Sequence, residues 1–424
     1  MVLYALGYRL SENVIESKPV GVLIVESIPR RSDVYIDDQH VGKTPHSAIS
    51  LVAETVNLAV VSEGMTTWQK NIEVGSGEVT EARDVRLFPE ENNITTIASN
   101  VSGFTLSPNR NLLAVVTNNN LFSVLDKDGI PIAKPVELSS VPDQLLWSPD
   151  SSSIIFSIKN KVSVVDITKT PLLLKPALKL NNTSKFTWDQ RIPGRLHAIT
   201  LDNDLISYNL ATGATELIYS QVKFFAASSR HIYIVDFDSQ IHILNLQGAL
   251  VTSPHIDSDK EIKELHVTPG GELVILFEDQ SLSYLDKDNL LIPVAESVDK
   301  LGWSPDEQVL YLQIDDTSLH VVNMLDERLS YIPLQQLHLV TRLSRPIRNP
   351  QWFAGGRHII YQADDEIFIT EIDTRDNPTS YIVDSTNLGD SQITVGDQGS
   401  SVYYIKRTGQ QNRLVSASLF VDVE

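Results

Sequence analysis

The chain has 424 residues, too many for one ordinary hydrophobic core, so its length favours a small domain beside a large one. Its 34 Lys and Arg residues are outnumbered by 54 Asp and Glu residues, and the net charge of -20 disfavours binding to nucleic acids and anionic membrane surfaces. Cationic partners or plain solubility fit this charge better. The absence of cysteine excludes disulfides, thiolate catalysis and cysteine-based zinc or iron–sulfur sites.

The N-terminal segment, residues 1–19, begins with the apolar run Met1–Leu6. This run is much shorter than the roughly 20 residues that cross a bilayer, so it is by itself neither a membrane helix nor a signal peptide. Two interpretations remain. The run is the outer end of an anchor helix whose first part is missing from this chain, which we favour, or it is a first strand or disordered tail.

Residues 20–88 alternate apolar and polar side chains with a period of two, which is typical of half-buried strands. Turn-forming residues separate the strands, and the segment is predicted to be a compact antiparallel β-sandwich. The predicted strands are Val22–Ser27, Val34–Asp37, Val56–Val61 and Trp68–Val74.

Four pieces of this segment occur in an order that resembles the PEGA domain, a small sandwich found mainly on bacterial and archaeal cell surfaces. They are Val25–Pro29, Val34–Asp37, Gly42–Pro45, and Glu63–Trp68 with Lys70 after it. The name-giving tetrapeptide is replaced by Pro29–Ser32, and the usual Asp-Gly turn by Asp37-Asp38. Both departures affect turns only. The resemblance implies a structural or adhesive module without catalysis.

Gly42-Lys43-Thr44 is not predicted to bind phosphate. In a phosphate-binding loop four residues separate a first glycine from the Gly-Lys pair, and a helix follows the loop. Here the position of that first glycine is occupied by Asp37, and no helical pattern follows. A β-turn that ends at Pro45 explains the sequence.

From Ser107 to the C-terminus a motif returns about every forty residues, the spacing of a β-propeller. The pattern predicts eight blades, with seven as the alternative if the unit at Ser228 is irregular. The last unit lacks a fourth strand, which residues 93–98 can supply, so that the propeller extends over 93–424. The landmarks are Ser107, Ser148, Asp189, Ser228, Thr268, Ser304, Phe353 and Gly396.

The pieces Trp147–Asp150 and Trp303–Asp306 resemble TolB-like and WD-type propeller repeats across roughly residues 93–424. In that resemblance the aromatic ring packs between blades, and Ser-Pro-Asp sets a turn through the fixed proline φ and hydrogen bonds of the Asp side chain. The fold class is therefore all-β, a PEGA-like sandwich followed by a propeller.

Sequence motifs for catalysis and metal binding do not stand out. The chain has no Gly-x-Ser-x-Gly elbow, no His-Glu-x-x-His pair and no EF-hand loop, and its ten histidines are scattered. Acidic turns such as Asp126–Gly129 are explained as hairpin turns. We therefore predict no catalytic residue, metal or cofactor.

The longest step between landmarks contains an insert, Leu334–Arg348, in which three arginines alternate with aliphatic residues. Loops on a rigid scaffold often carry functional residues. Arg342, Arg345 and Arg348 are therefore possible contacts for an acidic partner or for the sandwich; otherwise the insert is an outer strand and a solvated connection.

Three functions fit these patterns. The favoured one is a non-catalytic extracytoplasmic protein, tethered near its N-terminus, whose propeller binds an envelope protein or a glycan. The alternatives are a propeller-based polysaccharide lyase or hydrolase, and a structural envelope spacer that interacts only with itself.

Overall fold

The computed structural model describes residues 8–11, 14–181, 183, 185–254, 260–268, 270–286, 288, 290–326, 329, 331–385 and 391–419. The protein is built from strands (58%) with 2% helix, so the all-β prediction is confirmed. Across these residues we find no helix with the length and apolar character that a membrane crossing requires. The run Met1–Leu6 lies outside the described residues, and the anchor stays a prediction.

The N-terminal sandwich has two four-stranded sheets. In one, β2 pairs with β1, β5 and β8; the other has the order β4-β3-β6-β7. Their apolar faces enclose a core that includes Leu23, Leu58 and Trp68. The strands are β1 (Tyr8–Ser11), β2 (Val14–Ile28), β3 (Asp33–Ile36), β4 (Gln39–Lys43), β5 (His46–Val52), β6 (Thr55–Val61), β7 (Trp68–Glu73) and β8 (Val79–Arg86).

The sandwich differs from the predicted antiparallel arrangement in one pair of strands. β8 runs parallel to β2, with Val22 opposite Val79 and Ile28 opposite Arg86. A parallel pair requires a crossover between its strands, and here the second sheet provides it, because the chain passes through β6 and β7 before it returns as β8. The prediction was wrong at this pair because alternation shows which residues face the core and not strand direction.

The rest of the described chain forms eight consecutive four-stranded sheets, numbered here 1 to 8. Sheet 1 has β10 (Val101–Leu106), β11 (Leu112–Thr117), β12 (Leu121–Asp126) and β13 (Val136–Glu137); sheet 2 has β14 (Gln144–Trp147), β15 (Ser153–Ile158), β16 (Lys161–Asp166) and β17 (Leu174–Pro176); sheet 3 has β18 (Lys185–Trp188), β19 (Arg195–Ile199), β20 (Leu205–Asn209) and β21 (Thr215–Tyr219). Sheet 4 has β22 (Val222–Ala227), β23 (His231–Asp236), β24 (Ile241–Asn245) and β25 (Leu250–Thr252); sheet 5 has β26 (Ile262–Val267), β27 (Leu273–Phe277), β28 (Leu282–Leu285) and β29 (Leu291–Ala295). Sheet 6 has β30 (Val298–Trp303), β31 (Val309–Ile314), β32 (Ser318–Asn323) and β33 (Leu337–Arg342); sheet 7 has β34 (Ile347–Trp352), β35 (His358–Ala363), β36 (Glu366–Glu371) and β37 (Ser380–Asp384).

Sheet 8 combines strands from both ends of the propeller region. Its order is β38 (Ile393–Val395), β39 (Ser401–Thr408), β40 (Gln411–Ser418) and β9 (Asn93–Ser99), with β9 antiparallel to β40. Within the described residues three short 3-10 helices occur, at Leu178–Leu180, Ala354–Gly356 and Asp397–Gly399. Eight blades remain our interpretation of this order of sheets.

Apolar clusters join neighbouring sheets, including the last to the first. One cluster contains Phe104 and Leu113 of sheet 1 together with Tyr403 and Leu414 of sheet 8. Such a ring leaves no open edge at the meeting of the chain ends. Tryptophan rings pack in four of these clusters, as predicted for Trp147, Trp188, Trp303 and Trp352.

The predicted Ser-Pro-Asp turns are confirmed by their hydrogen bonds. Asp150 Oδ1 accepts a hydrogen bond from the Ser152 backbone N–H at 3.1 Å and lies 2.6 Å from Ser148 Oγ. Ser304 and Asp306 repeat the contact at 2.5 Å. These residues are therefore part of the scaffold.

Each propeller sheet has two ends. The turns that join its first to its second strand and its third to its fourth strand lie at one end, which we call the sandwich side. The turns between second and third strands, and the connections from one sheet to the next, lie at the other end, which we call the open side. Arg357 and residues 373–377 and 398–399 belong to the sandwich side.

Candidate functional site

The sandwich is joined to the propeller by a buried ion pair. Lys70 Nζ on β7 lies 2.9 Å from Glu371 Oε1 at the end of β36, and the two side chains are 1% and 5% exposed. The Trp68 indole Nε1 donates a hydrogen bond to Glu371 Oε2 at 2.9 Å. Glu371 Oε1 also accepts the Thr379 backbone N–H at 2.6 Å.

Lys70 also binds backbone oxygens of the β36–β37 connection. Its Nζ donates to the carbonyls of Asp373 at 2.6 Å, Arg375 at 3.0 Å and Asn377 at 2.7 Å. A buried ammonium is tolerated only where charge and hydrogen bonds replace its lost hydration. The contacts of Lys70 therefore bind the sandwich to one fixed place on sheet 7.

A second contact lies where the sandwich ends. The ring of Phe88 stacks on Tyr381 at 4.5 Å between centroids and meets Phe353 edge-on at 6.0 Å. Burial, together with the nearby Arg86 and Lys70 charges, lowers the pKa of His358, a further ring against Phe88, to about 3. These aromatic contacts and the ion pair limit rotation between the two domains.

A cavity of about 470 Å³ lies beside this junction, between the sandwich and sheets 6 and 7. Its lining cations are already held by carboxylates. Arg357 lies 2.6 Å from Asp326 and 3.3 Å from Asp84, and Arg375 lies 2.6 Å from Asp373. The third, Arg83, lies close to two glutamates on the sandwich surface. The cavity therefore offers no cation for an added anion without breaking one of these pairs.

The first strands of the propeller sheets surround a central channel. One cavity of about 560 Å³ is lined by Lys300, Asn349, Pro350, Gln351, Gln392 and Ile393. Another, of about 320 Å³, is lined in part by first-strand residues of sheets 1 and 2, in part by the connection Val141–Asp143, and includes Gln392 as well. Because Gln392 borders both, first-strand residues of sheets 6, 7, 1 and 2 meet around one axis.

Cations are concentrated on these first strands. The eight strands carry five Lys and Arg residues and two acidic residues, Glu264 and Asp299, whereas acidic residues predominate in the whole chain. The five cations occur on five consecutive sheets, 3 to 7, near the open side. They are Lys185, Lys223, Lys263, Lys300 and Arg348.

Two of the five have partners within the protein. Lys223 Nζ lies 2.5 Å from Glu261 Oε1. Lys185 Nζ donates to the Phe225 carbonyl at 3.3 Å, and burial lowers its pKa while Glu264 opposes the change. In the part of the chain that the structure describes, Lys263, Lys300 and Arg348 form no ion pair.

The three arginines predicted from the sequence have different surroundings. Arg342 is exposed at the end of β33, and Arg348 is exposed on the first strand of sheet 7. Arg345 pairs with Asp364 at 3.2 Å and Glu366 at 2.5 Å. All three lie at the open side, away from the sandwich, so the suggested contact with the sandwich is not made; a contact with a partner stays a prediction.

The other four channel cations were not singled out from the sequence, although a signal was present. Each of the five cations stands four or five residues before a repeat landmark, such as Lys223 before Ser228 and Lys300 before Ser304.

No cluster of three or more metal-ligating side chains occurs among the described residues. Asp126, in a predicted hairpin turn, accepts the Asp128 and Ile130 backbone N–H groups.

Comparison with known proteins agrees with the division into an N-terminal sandwich and a propeller. Residues 20–89 match the family model of the PEGA domain. The chain therefore has a PEGA domain followed by a β-propeller, as the resemblance suggested. No curated protein matches the chain.

Solved structures share the propeller fold with this chain. The C-terminal WD40 domain of Sif2 has a TM-score of 0.54 at 15% identity, over 76% of this chain and 98% of that one. A structure described as the eukaryotic initiation factor has a TM-score of 0.50 at 11% identity, over 84% and 89%. At these identities the likeness concerns the fold alone.

Proposed function

We propose that this chain is a non-catalytic binding or scaffold protein of the cell envelope that presents the open side of its propeller to a protein or glycan partner. The proposal divides the chain into an N-terminal segment, 1–19, a PEGA domain, 20–88, and a propeller, 93–424. It assigns the membrane tether to the N-terminal segment, in which Tyr8–Ser11 and the start of β2 already pair as strands of the sandwich sheet. It places the protein outside the cytoplasm because PEGA domains are typical of cell surfaces.

The observation that carries the proposal is the fixed junction. Lys70 and Glu371 are both almost fully buried, and the PEGA domain contacts the propeller at the sandwich side through them. A tether that leaves the PEGA domain from its own end would hold the propeller in one orientation. The open side, which carries the channel cations, would then be available to a partner.

Apolar side chains exposed on the open side support binding to a partner. Leu201 and Phe237, in turns between second and third strands, are 72% and 54% exposed. Exposed apolar groups next to polar ones are common at protein interaction sites. Each side chain could bury apolar area on association and contribute about 25 cal/mol per Å².

The test uses the full chain, immobilised, with solubilised envelope proteins and a glycan array. We expect saturable binding that the Leu201→Ser, Phe237→Ser double variant weakens. The matched control is Leu173→Ser with Leu290→Ser, two leucines on sandwich-side connections that are each 59% exposed. Equal loss in both double variants, or no saturable binding at all, would contradict the proposal.

The spacer alternative predicts a different result. A protein that interacts only with itself should increase in mass with concentration in light scattering while it binds no envelope protein or glycan. A constant monomer mass together with saturable partner binding would support the recognition function.

A further inference from the structure

The open side of the propeller has opposite charges at its centre and around it. Sheets 3 to 7 carry the five channel cations, and in the same sheets the turns between second and third strands are acidic. In this part of the described chain these turns contain no Lys or Arg. Their acidic residues are Asp202, Asp204, Asp238, Glu278, Asp279, Asp315, Asp316, Asp364 and Asp365.

The channel carries neutral polar groups beside its cations. Lys300, Asn349, Gln351 and Gln392 line one open space of about 560 Å³. Two of these amides are held in place: Asn349 Nδ2 donates to the Ser391 carbonyl and Gln351 Nε2 to the Ile393 carbonyl, each at 2.8 Å. These hydrogen bonds fix the positions of the two side chains.

Carboxylates are the anions that suit this set of groups. Ammonium and guanidinium groups donate charge-assisted hydrogen bonds to carboxylate oxygens. Lys300 and Arg348 are exposed, on neighbouring first strands, and without an ion pair within the described chain. By contrast, the cations of the junction cavity are paired with carboxylates. An added carboxylate would therefore find available cations in the channel.

The surrounding acidic turns limit what shape of anion can bind. Two of these carboxylates are paired, Asp279 with Lys260 and Asp364 with Arg345. A long polyanion lying across the open side would still meet the other acidic residues, and like charges at close range oppose association. A short anionic segment that enters the channel avoids them if its flanks are neutral or basic. Exposed Leu201 and Phe237 among these turns provide apolar contacts that a polypeptide can use.

We propose that the mouth of the channel on the open side, at Lys300 and Arg348, binds a short acidic segment of a polypeptide partner whose flanking residues are neutral or basic. This inference rests on the proposed binding function and deepens it, because it names the site and the chemistry of the partner. Lys263, which forms no ion pair within the described chain, adds positive charge at the same end of the channel and favours approach of the segment.

The test measures binding of labelled probes to the full chain by fluorescence anisotropy. The first probe is a synthetic peptide with a short central run of glutamates and lysines at both ends; the second has glutamines in place of the glutamates. We expect saturable binding of the first peptide alone, weaker at high ionic strength because salt screens exposed charges. Polygalacturonate, an anionic polysaccharide, is the third probe.

Matched variants locate the site. The Lys300→Gln, Arg348→Gln double variant should bind the acidic peptide about tenfold more weakly, equal to about 1.4 kcal/mol of binding free energy. The control is Lys134→Gln with Lys175→Gln, two exposed lysines outside the first strands, with the same change of net charge. The control should stay within about twofold of the unaltered chain, and circular dichroism should show both folded.

Each other outcome overturns the inference. Equal weakening in both double variants would assign the effect to net charge rather than to the channel. Polygalacturonate binding that depends on Lys300 and Arg348 would replace the polypeptide by a polysaccharide. Failure of the acidic peptide to bind would reject the inference that the partner supplies an acidic segment. The proposed binding function is tested separately, by the effect of Leu201→Ser, Phe237→Ser on partner binding.

Discussion

Replacing Lys70 by methionine should weaken the junction between the PEGA domain and the propeller. Methionine keeps much of the side-chain length but removes the charge, so Glu371 stays buried with hydrogen bonds from Trp68 and Thr379 but without its ion-pair partner. Removing one partner of a buried ion pair costs about 3–5 kcal/mol. Three backbone carbonyls also lose their donor, which favours the upper part of this range.

Hydrogen exchange measures this change at the junction itself. The backbone N–H of Asn71 donates to Asp376 Oδ2 at 2.9 Å and that of Thr379 to Glu371 Oε1. If these amides exchange when the junction opens, 3–5 kcal/mol corresponds to exchange faster by about two to three and a half orders of magnitude. The control Lys43→Met removes a lysine that is 57% exposed and pairs with Asp33, so it should change exchange little.

A double variant separates the ion pair from the carbonyl contacts. Replacing Glu371 by leucine as well as Lys70 by methionine removes the uncompensated carboxylate, so the double variant should be more stable than Lys70→Met alone by about 1–3 kcal/mol. Exchange at Asn71 that is unchanged in Lys70→Met would refute the reasoning, because it would mean that the pair does not hold the domains together.

Three further predictions concern the aromatic side of the junction. Phe88→Ala should destabilise the protein by about 3–5 kcal/mol in denaturant unfolding, and a loss under 1 kcal/mol would contradict its packing role. Gly399→Ala should lower the free energy of unfolding more than Gly409→Ala. Both glycines have positive φ (73° and 63°), but a Cβ added at Gly399 would lie 2.6 Å from the Phe353 ring, whereas a Cβ added at Gly409 would have no atom within 4 Å. The pKa of His358 is lowered to about 3, so between that value and the unfolded pKa of about 6.5 the unfolded chain binds more protons. The free energy of unfolding should therefore fall as pH falls through this window, by about 1.4 kcal/mol per unit, and His358→Asn should reduce the slope in denaturant titrations; an unchanged slope would contradict this assignment.

Much of the propeller could be predicted from local patterns because its units repeat. The tryptophans at 147, 188, 303 and 352 mark the same place in four sheets, and each packs in a cluster between sheets. Trp68, the fifth, breaks the period and belongs to the PEGA domain. Its assignment to the PEGA domain followed from the neighbouring sequence, which resembles that domain and includes Lys70.

The sequence by itself determined which residues form strands and which side chains face a core, because alternation and turn residues act over a few neighbours. Only the tertiary structure decided where charges meet. Trp68 and Glu371 are 303 residues apart in the chain, and Lys300 and Arg348 become neighbours only when sheets 6 and 7 lie side by side around the channel. Ion pairing and binding depend on distances between elements, which no local pattern records.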